Sequence, residues 1–143
     1  MNEAHSVPVN SSIPKRRRAV VAEDDLEMRR LLVVALEREG FAVTAVSDGL
    51  ELLDLIDVLA GPPSLENPGL PDLVISDVVM PHCTGLSALA AIKRMGHTYP
   101  FVVITAFGDD HTHNEALRLG AAAVFDKPLG LSELRSMVAR LVP

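Results

Sequence analysis

The sequence contains no tryptophan, one tyrosine and four phenylalanines among its 143 residues. Since 48% of the residues are still hydrophobic, the chain is long and apolar enough for one folded domain, whose core must be built from aliphatic side chains. Cysteine is equally scarce. Cys83 stands alone, which excludes an internal disulfide and is typical of a reducing compartment. A globular cytoplasmic protein is therefore expected.

Long apolar runs and an excess of basic residues are also missing. No hydrophobic stretch approaches the ~20 residues of a membrane-spanning helix, and the stretch after the basic run 15–18 is too short for a signal-peptide core. The formal net charge of −6 argues against an extended nucleic-acid-binding surface. The basic run itself is either a nuclear or nucleic-acid patch or, more commonly, a solvated entry to a strand. We therefore expect no membrane insertion.

Two stretches lack the periodicity of helices and strands. Residues 1–16 are mostly small, polar or basic, and we predict a disordered tail there, followed by one folded domain over residues 17–143. Residues 61–71 contain four prolines and two glycines, which exclude a helix or a central strand. This long loop is either a tolerated surface insertion or a partner-binding loop.

Short apolar runs alternate with stretches of helical spacing across residues 17–143, which is typical of strand–helix repeats. The run Leu73–Ile75 shows the pattern well, because it is rich in β-branched residues and a turn must follow it at Pro81. Five such repeats predict an α/β fold with a parallel sheet covered on both faces. The predicted strands cover residues 19–22, 41–46, 73–75, 101–104 and 122–125, and the predicted helices cover residues 26–39, 52–59, 85–95, 109–119 and 131–141.

Polar residues stand at the ends of four of the five predicted strands. Glu23 and Asp24 follow the first strand, Asp77 the third, Thr105 the fourth and Lys127 the fifth. Because the carboxyl ends of parallel strands lie at one edge of a sheet, we expect these side chains to converge in one crevice. An aspartate fixed there is a metal ligand, a nucleophile or both. A lone aspartate in such a place is more often a solvated residue that starts a loop.

Four short motifs occur in order at these strand ends: V-A-E-D-D, S-D-V-V-M-P-x-x-x-G, T-A and D-K-P-L. In this combination the chain resembles a two-component response-regulator receiver domain over about residues 17–141. The resemblance implies a doubly wound, flavodoxin-like (βα)5 fold with a five-stranded parallel sheet of order 2-1-3-4-5. It also implies a stand-alone receiver domain over residues 17–143, with no DNA-binding domain in this chain.

The resemblance gives the acidic residues the roles of phosphoacceptor and metal ligands. Asp77 resembles the phosphoacceptor, and Glu23 and Asp24 resemble the acidic pair that holds Mg²⁺, with Asp24 as the direct ligand. Asp77 and the backbone carbonyl of Val79 would complete the metal ligands. Electrostatics agrees, because three clustered carboxylates repel one another and a divalent cation relieves that repulsion. Oxygen ligands suit Mg²⁺, and Mn²⁺ is an alternative.

The resemblance implies a phosphorylation switch rather than an enzyme. Asp77 would take a phosphoryl group from the phosphohistidine of a sensor histidine kinase or a phosphotransfer protein, and the domain would assist this step and its slow reversal by hydrolysis. Thr105 and Lys127 resemble the residues that bind the phosphoryl oxygens, and the Lys127–Pro128 peptide bond is expected to be cis. Phosphorylation would change the surface of the fourth helix, fifth strand and fifth helix, which binds an unknown downstream protein.

Two positions depart from the family pattern, Thr84, where the family often has aspartate, and Val124. Val124 stands where the family usually has an aromatic residue that turns inward on activation, and Phe125 follows it. Switching is therefore expected to proceed without an aromatic flip. The resemblance also implies that Val79 and Phe107 flank the path of the water that hydrolyses the acyl phosphate; the alternative is that both are ordinary loop residues and loop motion sets the lifetime. Because neither side chain can hydrogen-bond a water, the phosphorylated form is expected to hydrolyse slowly.

Two other functions compete with the switch. A pseudo-receiver would use the same fold only as a protein-binding module, but the retained acidic, hydroxyl and lysine residues argue against it. A phosphatase with an aspartyl nucleophile would need a second acid two residues after Asp77, and Val79 stands there. A small phosphodonor with Mg²⁺ distinguishes the three functions by single uptake, no uptake or multiple turnover.

Overall fold

The structure, a computed structural model, describes residues 16–106 and 108–143 and contains the five predicted strand–helix repeats. The tail predicted for residues 1–16 lies outside the described residues, apart from Arg16. The strands are β1 (Arg17–Ala22), β2 (Phe41–Val46), β3 (Leu73–Asp77), β4 (Phe101–Thr105) and β5 (Ala123–Asp126). The helices are α1 (Leu26–Arg38), α2 (Gly49–Leu59), α3 (Gly85–Arg94), α4 (Asp110–Arg118) and α5 (Leu131–Leu141).

The helices differ from the predicted ones mainly at their ends. The second helix was predicted to begin at residue 52, but α2 begins at Gly49, and Asp48 caps it by accepting a hydrogen bond from the Glu51 amide. Likewise Asp109 caps α4 instead of opening it. Aspartate is favoured at such positions because its side chain satisfies an amide that lacks a helical partner. No helix among the described residues is both long and apolar enough to cross a membrane.

The five strands form one parallel sheet of order β2-β1-β3-β4-β5, as predicted. The chain therefore runs from β1 outwards to β2, returns past β1 to β3, and continues to β5. The reversal of direction leaves a crevice between the carboxyl ends of β1 and β3, where ligands bind in open α/β sheets. The predicted strand-end residues all lie at this edge.

Two aliphatic cores cover the two faces of the sheet. Successive residues of β1 alternate between them, because side chains along a strand point to opposite faces. Ala19 and Val21 pack with α1 and α5, whereas Val20 and Ala22 pack with α2 and α3. The three central strands are buried over most of their length. These buried strands give the side chains at their carboxyl ends a rigid backbone support.

Two arginines of the basic run, Arg17 and Arg18, are half-buried and bind other parts of the chain, so the interpretation of a solvated strand entry is wrong for these two residues. The Arg17 guanidinium donates to the backbone oxygens of Val142 at 2.5 Å and Glu39 at 3.2 Å, and it stacks on the Phe41 ring. Arg18 donates to Gly69 O at 2.7 Å. Guanidinium groups can bind several backbone oxygens at once because they offer five hydrogen-bond donors in a fixed plane.

The proline-rich loop 61–71 is held by one asparagine. The Asn67 side-chain amide donates to Val58 O and Pro62 O, both at 3.1 Å, and its oxygen accepts from the Gly69 amide at 3.0 Å. With Arg18 bound to Gly69 as well, the loop is fixed to the amino end of the sheet. That end is opposite the candidate site.

Candidate functional site

The polar strand-end residues meet at the carboxyl edge of the central strands. Glu23 follows β1 and is fully buried, whereas its neighbour Asp24 is exposed. Asp77 closes β3 and Thr105 closes β4, with 5% and 1% of their surfaces exposed. Lys127 follows β5, and its amide donates to Thr105 O at 2.8 Å. The parallel sheet thus brings together residues that are more than a hundred positions apart.

Lys127 connects the two buried carboxylates of the site. Its ammonium nitrogen Nζ donates a hydrogen bond to Asp77 Oδ2 at 2.9 Å and lies 2.9 Å from Glu23 Oε1. The Lys127 side chain is 20% exposed, while those of Glu23 and Asp77 are 0% and 7% exposed. One cation therefore compensates two anions, and the pocket retains an excess of negative charge.

Burial raises the pKa of Glu23, and the nearby Asp77 charge raises it further. The Lys127 ammonium and the hydrogen bond from the Asp25 amide lower the pKa of Glu23 but do not outweigh the loss of water. Burial alone would lower the pKa of Lys127, yet its hydrogen bond to Asp77 and its ion pair with Glu23 prevail and raise it. Lys127 therefore stays charged at neutral pH. Glu23 is the member of the cluster whose negative charge is disfavoured by burial.

Glu23, Asp24 and Asp77 form a group that could hold a metal ion. One carboxylate oxygen from each lies within 4.8 Å of the other two. Glu23 Oε1 is buried, and the Lys127 ammonium 2.9 Å away forms an ion pair with it that does not have hydrogen-bond geometry. Among the described residues this oxygen therefore can still accept a hydrogen bond, for example from a water bound to a cation. The three atoms that could ligate a metal are all carboxylate oxygens, so the residues present fit Mg²⁺.

Three further predictions concern Val79, Phe107 and the Lys127–Pro128 peptide bond. The Val79 amide approaches Asp77 Oδ1 at 3.4 Å, and the Val79 side chain is exposed. That its carbonyl is a metal ligand stays a prediction. Phe107, predicted to flank the water path, lies outside the described residues. The Lys127–Pro128 peptide bond is cis, as expected.

Sequence reasoning missed two residues that shape the site. Arg29 on α1 donates from Nη1 to Glu23 O at 2.8 Å and brings a second cation close to the cluster. Gly85 begins α3 so close to β3 that a Cβ there would lie 1.9 Å from Asp77 O. The final glycine of S-D-V-V-M-P-x-x-x-G was visible as a motif, but only the fold shows what it contacts. Arg29 carries no sequence signal, because its partner is a backbone oxygen.

Comparison with known proteins agrees with this arrangement. The family model described as "Response regulator receiver domain" matches residues 19–139, which is most of the chain. The chain belongs to the response regulator receiver domain family. Receiver domains of this family act in two-component systems, are phosphorylated on an aspartate and bind Mg²⁺ at an acidic pocket. The acidic cluster at Asp77 is the matching feature of this chain.

Individual relatives fall into two groups by length. The transcriptional regulatory protein CpxR of Escherichia coli (strain K12) is 36% identical over 122 residues, covering 85% of this chain but 46% of CpxR. Sporulation initiation phosphotransferase F of Bacillus subtilis (strain 168) is 27% identical over 87% of this chain and 92% of its own length. The chain thus spans about half the length of several curated relatives that it matches.

Solved structures show the same fold. The Francisella response regulator 1452 receiver domain matches with a TM-score of 0.76 and 25% identity, covering 87% of this chain and 95% of that one. A response regulator from Chloroflexus aurantiacus matches with a TM-score of 0.76 and 25% identity, covering 89% and 98% of the two chains. A pseudo-receiver finds no support in these comparisons.

We predict that Glu23→Gln stabilises the metal-free receiver domain at neutral pH while weakening its binding of Mg²⁺. The folded-state pKa of Glu23 is raised, so its ionisation opposes folding. This cost is absent below the unfolded pKa and appears as the pH rises through the folded pKa. Glutamine has the same shape and no charge.

Melting curves in chelator at several pH values check this prediction. The variant should melt at a higher temperature than the parent at pH 7, and the two curves should converge below about pH 4, where glutamate is protonated in both states. A variant that melts lower at pH 7 would show that the Glu23 charge contributes more to the Lys127 contact than its burial costs.

Proposed function

We propose that this chain is a phosphoacceptor switch in which Asp77 accepts a phosphoryl group. The observation that supports it is the placement of Asp77 at the carboxyl end of β3, with Lys127 on one oxygen and two further carboxylates within 4.8 Å. A solvated loop aspartate would have no reason to be 5% exposed beside a lysine and a second buried acid. The donor we propose is the phosphohistidine of a sensor histidine kinase or of a phosphotransfer protein.

The reaction follows from the groups that surround Asp77. A carboxylate oxygen of Asp77 attacks phosphorus, an acyl phosphate bond forms, and the bond to the imidazole nitrogen of the donor breaks, returning its electron pair to the donor. The Lys127 ammonium, already 2.9 Å from Asp77, is in reach of the incoming phosphoryl oxygens. The buried Thr105 hydroxyl then donates to the product, which fixes the new group at the ends of β3 and β4.

In this proposal Glu23 and Asp24 form the acidic pair of the Mg²⁺ site, and Asp77 and the carbonyl of Val79 would add further oxygen ligands. When bound, the ion would supply positive charge that offsets the repulsion between the anionic donor and the anionic pocket. Asp24, exposed at the mouth of the cluster, would be the direct ligand of the pair. Glu23, fully buried beside Lys127, would orient the Mg²⁺ ion and its waters that Asp24 and Asp77 bind.

The receiver domain proposed for residues 17–143 transmits the signal through α4, β5 and α5 to a downstream protein. α4 is the most weakly anchored helix of this surface, with Ala116 as its one buried residue. His113 on α4 contacts Asp126 on β5 at 2.8 Å and links the two elements. Val124 packs with the α2–α3 side of the core and Phe125 with the α1–α5 side. The side of β5 that faces α4 therefore carries no aromatic group to flip.

We predict that phosphorylation changes amide exchange in residues 105–127 more than elsewhere. Charge-assisted hydrogen bonds from Thr105 and Lys127 to the phosphoryl group pull on the β4–α4 loop and on the start of the β5–α5 loop. Moving a population from 1:99 to 99:1 takes about 5.5 kcal/mol of differential stabilisation, which a few such bonds approach. Hydrogen exchange with and without a phosphoryl mimic measures it. Equal protection across residues 105–127 in both states would contradict this mode of switching.

The proposed function is tested by incubation with a small phosphodonor and Mg²⁺, followed by intact-mass measurement. The switch takes up one phosphoryl group and holds it, because Val79 offers no hydrogen bond to an attacking water. A binding module takes up none, and a phosphatase turns over assorted phosphomonoesters. Either of these two results would contradict the proposal.

We predict that the same uptake needs a divalent cation and that Asp24→Ala slows it by at least about tenfold. The carboxylate of Asp24 is the exposed member of the metal cluster, so its removal leaves the fold intact but takes away a charged ligand. Uptake rates with Mg²⁺, with Mn²⁺ and with excess chelator measure the effect. Full uptake in chelator would show that the cluster is not a metal site.

A further inference from the structure

The loop that follows Asp77, residues 78–84, is fixed at its start and in its middle. The Val78 amide donates to Ile104 O at 3.0 Å, and Val78 O accepts from the Gly85 amide at 2.9 Å. Met80 is 6% exposed and packs into the core on the α2–α3 side. Val79 lies between these anchors, with its amide towards Asp77 Oδ1.

The second half of this loop makes a strained turn at His82. The Cys83 amide donates to Pro81 O at 2.8 Å, which closes a three-residue turn around His82, and φ of His82 is +70°. This is the less favourable form of the turn for a residue with a side chain. Such a conformation persists only where the surroundings hold it.

The group that holds His82 is Asp48 at the start of α2. His82 Nδ1 lies 3.0 Å from Asp48 Oδ2, while Asp48 Oδ1 accepts from the Glu51 amide at 2.8 Å. These two hydrogen bonds, that of Glu51 foremost, lower the pKa of Asp48. An ionised carboxylate has no proton to give, so Nδ1 of His82 carries the hydrogen and donates it.

A second contact joins the same two segments. Gly49, next to Asp48, lies against the backbone of Cys83, so that a Cβ on Gly49 would be 2.2 Å from Cys83 O. The first turn of α2 and the loop after Asp77 therefore pack together without space for a side chain. The His82–Asp48 hydrogen bond stands directly beside this packing contact.

We infer that His82 and Asp48 are positioning residues that hold the loop 78–84, and with it the Val79 backbone, against Asp77. The inference rests on the proposed function, in which the Val79 carbonyl is a metal ligand. It adds that the affinity of the acidic cluster for Mg²⁺ depends on a hydrogen bond to α2, outside the cluster itself. Outer contacts of this kind orient metal ligands and affect affinity without touching the ion.

The test is a double-mutant cycle in Mg²⁺ affinity, measured by titration calorimetry because the chain has no tryptophan. The variants are His82→Ala, Asp48→Ser and the double variant. Serine caps helices as well as aspartate does, and its one hydroxyl oxygen, used by the Glu51 amide, leaves no second atom for His82. Each single variant should bind Mg²⁺ about tenfold more weakly than the parent. The double variant should be no weaker than the singles, because both remove the same contact.

His111→Ala is the matched control, since His111 is exposed on α4 and belongs neither to α2 nor to the loop 78–84. It should bind Mg²⁺ like the parent. Hydrogen exchange of the metal-free proteins separates positioning from general destabilisation. The amides of residues 78–84 should exchange faster in His82→Ala and Asp48→Ser, while those of the central strands keep the protection of the parent.

The outcomes separate this inference from the proposed function. If the parent binds Mg²⁺ and both single variants bind within about twofold of it, the inference is overturned and the proposed function stands. Faster exchange across the whole sheet, or fully additive effects in the double variant, also overturns the positioning role. A parent that binds no Mg²⁺ overturns the proposed function and this inference together.

Discussion

Asp77→Asn should take up no detectable phosphoryl group while keeping the fold. Asparagine fills the same space at the end of β3, but its amide oxygen carries no charge and is a poor nucleophile for phosphorus. The half-buried Lys127 still has Glu23 at 2.9 Å, so this cation is not left without an anion. Removing one of three clustered carboxylates also reduces the charge that binds Mg²⁺. Intact mass after incubation with a small phosphodonor measures uptake.

Asp109→Asn is the matched control for this experiment. It removes the same charge at the same edge of the sheet, and asparagine preserves the cap that Asp109 provides to α4 by accepting from the Thr112 amide. This variant should take up one phosphoryl group as the parent does. Normal uptake by Asp77→Asn would place the acceptor on another residue and contradict the proposed mechanism.

The fold was predictable because its signals are local and repeated. Runs such as Leu73–Ile75 are apolar on both faces, which parallel sheets require, and glycines or prolines separate them from the helices. Once the strands are parallel, their carboxyl ends must share one edge. The meeting of Glu23, Asp77 and Lys127 therefore followed from strand order alone, before any contact was known.

The contacts that refine the site were not predictable in this way. Glu23 and Asp24 are neighbours in sequence, yet one is fully buried and the other exposed. The Glu23 amide still donates to Val46 O at the end of β2, whereas the chain turns towards α1 after it. The hydrogen bond from His82 to Asp48 joins residues 34 positions apart, and the loop that carries His82 has no periodicity to place it. Side chains that bind backbone oxygens, as Arg17 does, leave no complementary residue in the sequence.

Gly85→Ala should destabilise the domain by about 3 kcal/mol or more, although local propensity predicts the opposite. Alanine is favoured over glycine by about 1 kcal/mol inside a helix, and Gly85 is the first residue of α3. A Cβ there, however, would lie 1.9 Å from Asp77 O and 2.9 Å from Asp77 C. Both atoms belong to the backbone of a buried strand, so no side chain can move aside. Overpacking of this kind commonly costs 1–3 kcal/mol, and the absence of a flexible neighbour places this case at or above the upper end.

Gly130→Ala separates the clash from the general effect of replacing glycine. Gly130 precedes α5 with φ of −76°, and a Cβ there would meet Glu133 Oε1 at an ordinary 3.6 Å. Its melting temperature should stay within a few degrees of the parent, whereas Gly85→Ala should melt roughly 10 °C lower. Because the displaced carbonyl belongs to Asp77 itself, Gly85→Ala should also bind Mg²⁺ more weakly below its melting temperature. If both variants melt alike, the close approach of α3 to β3 does not exist in solution, and helix propensity alone governs position 85.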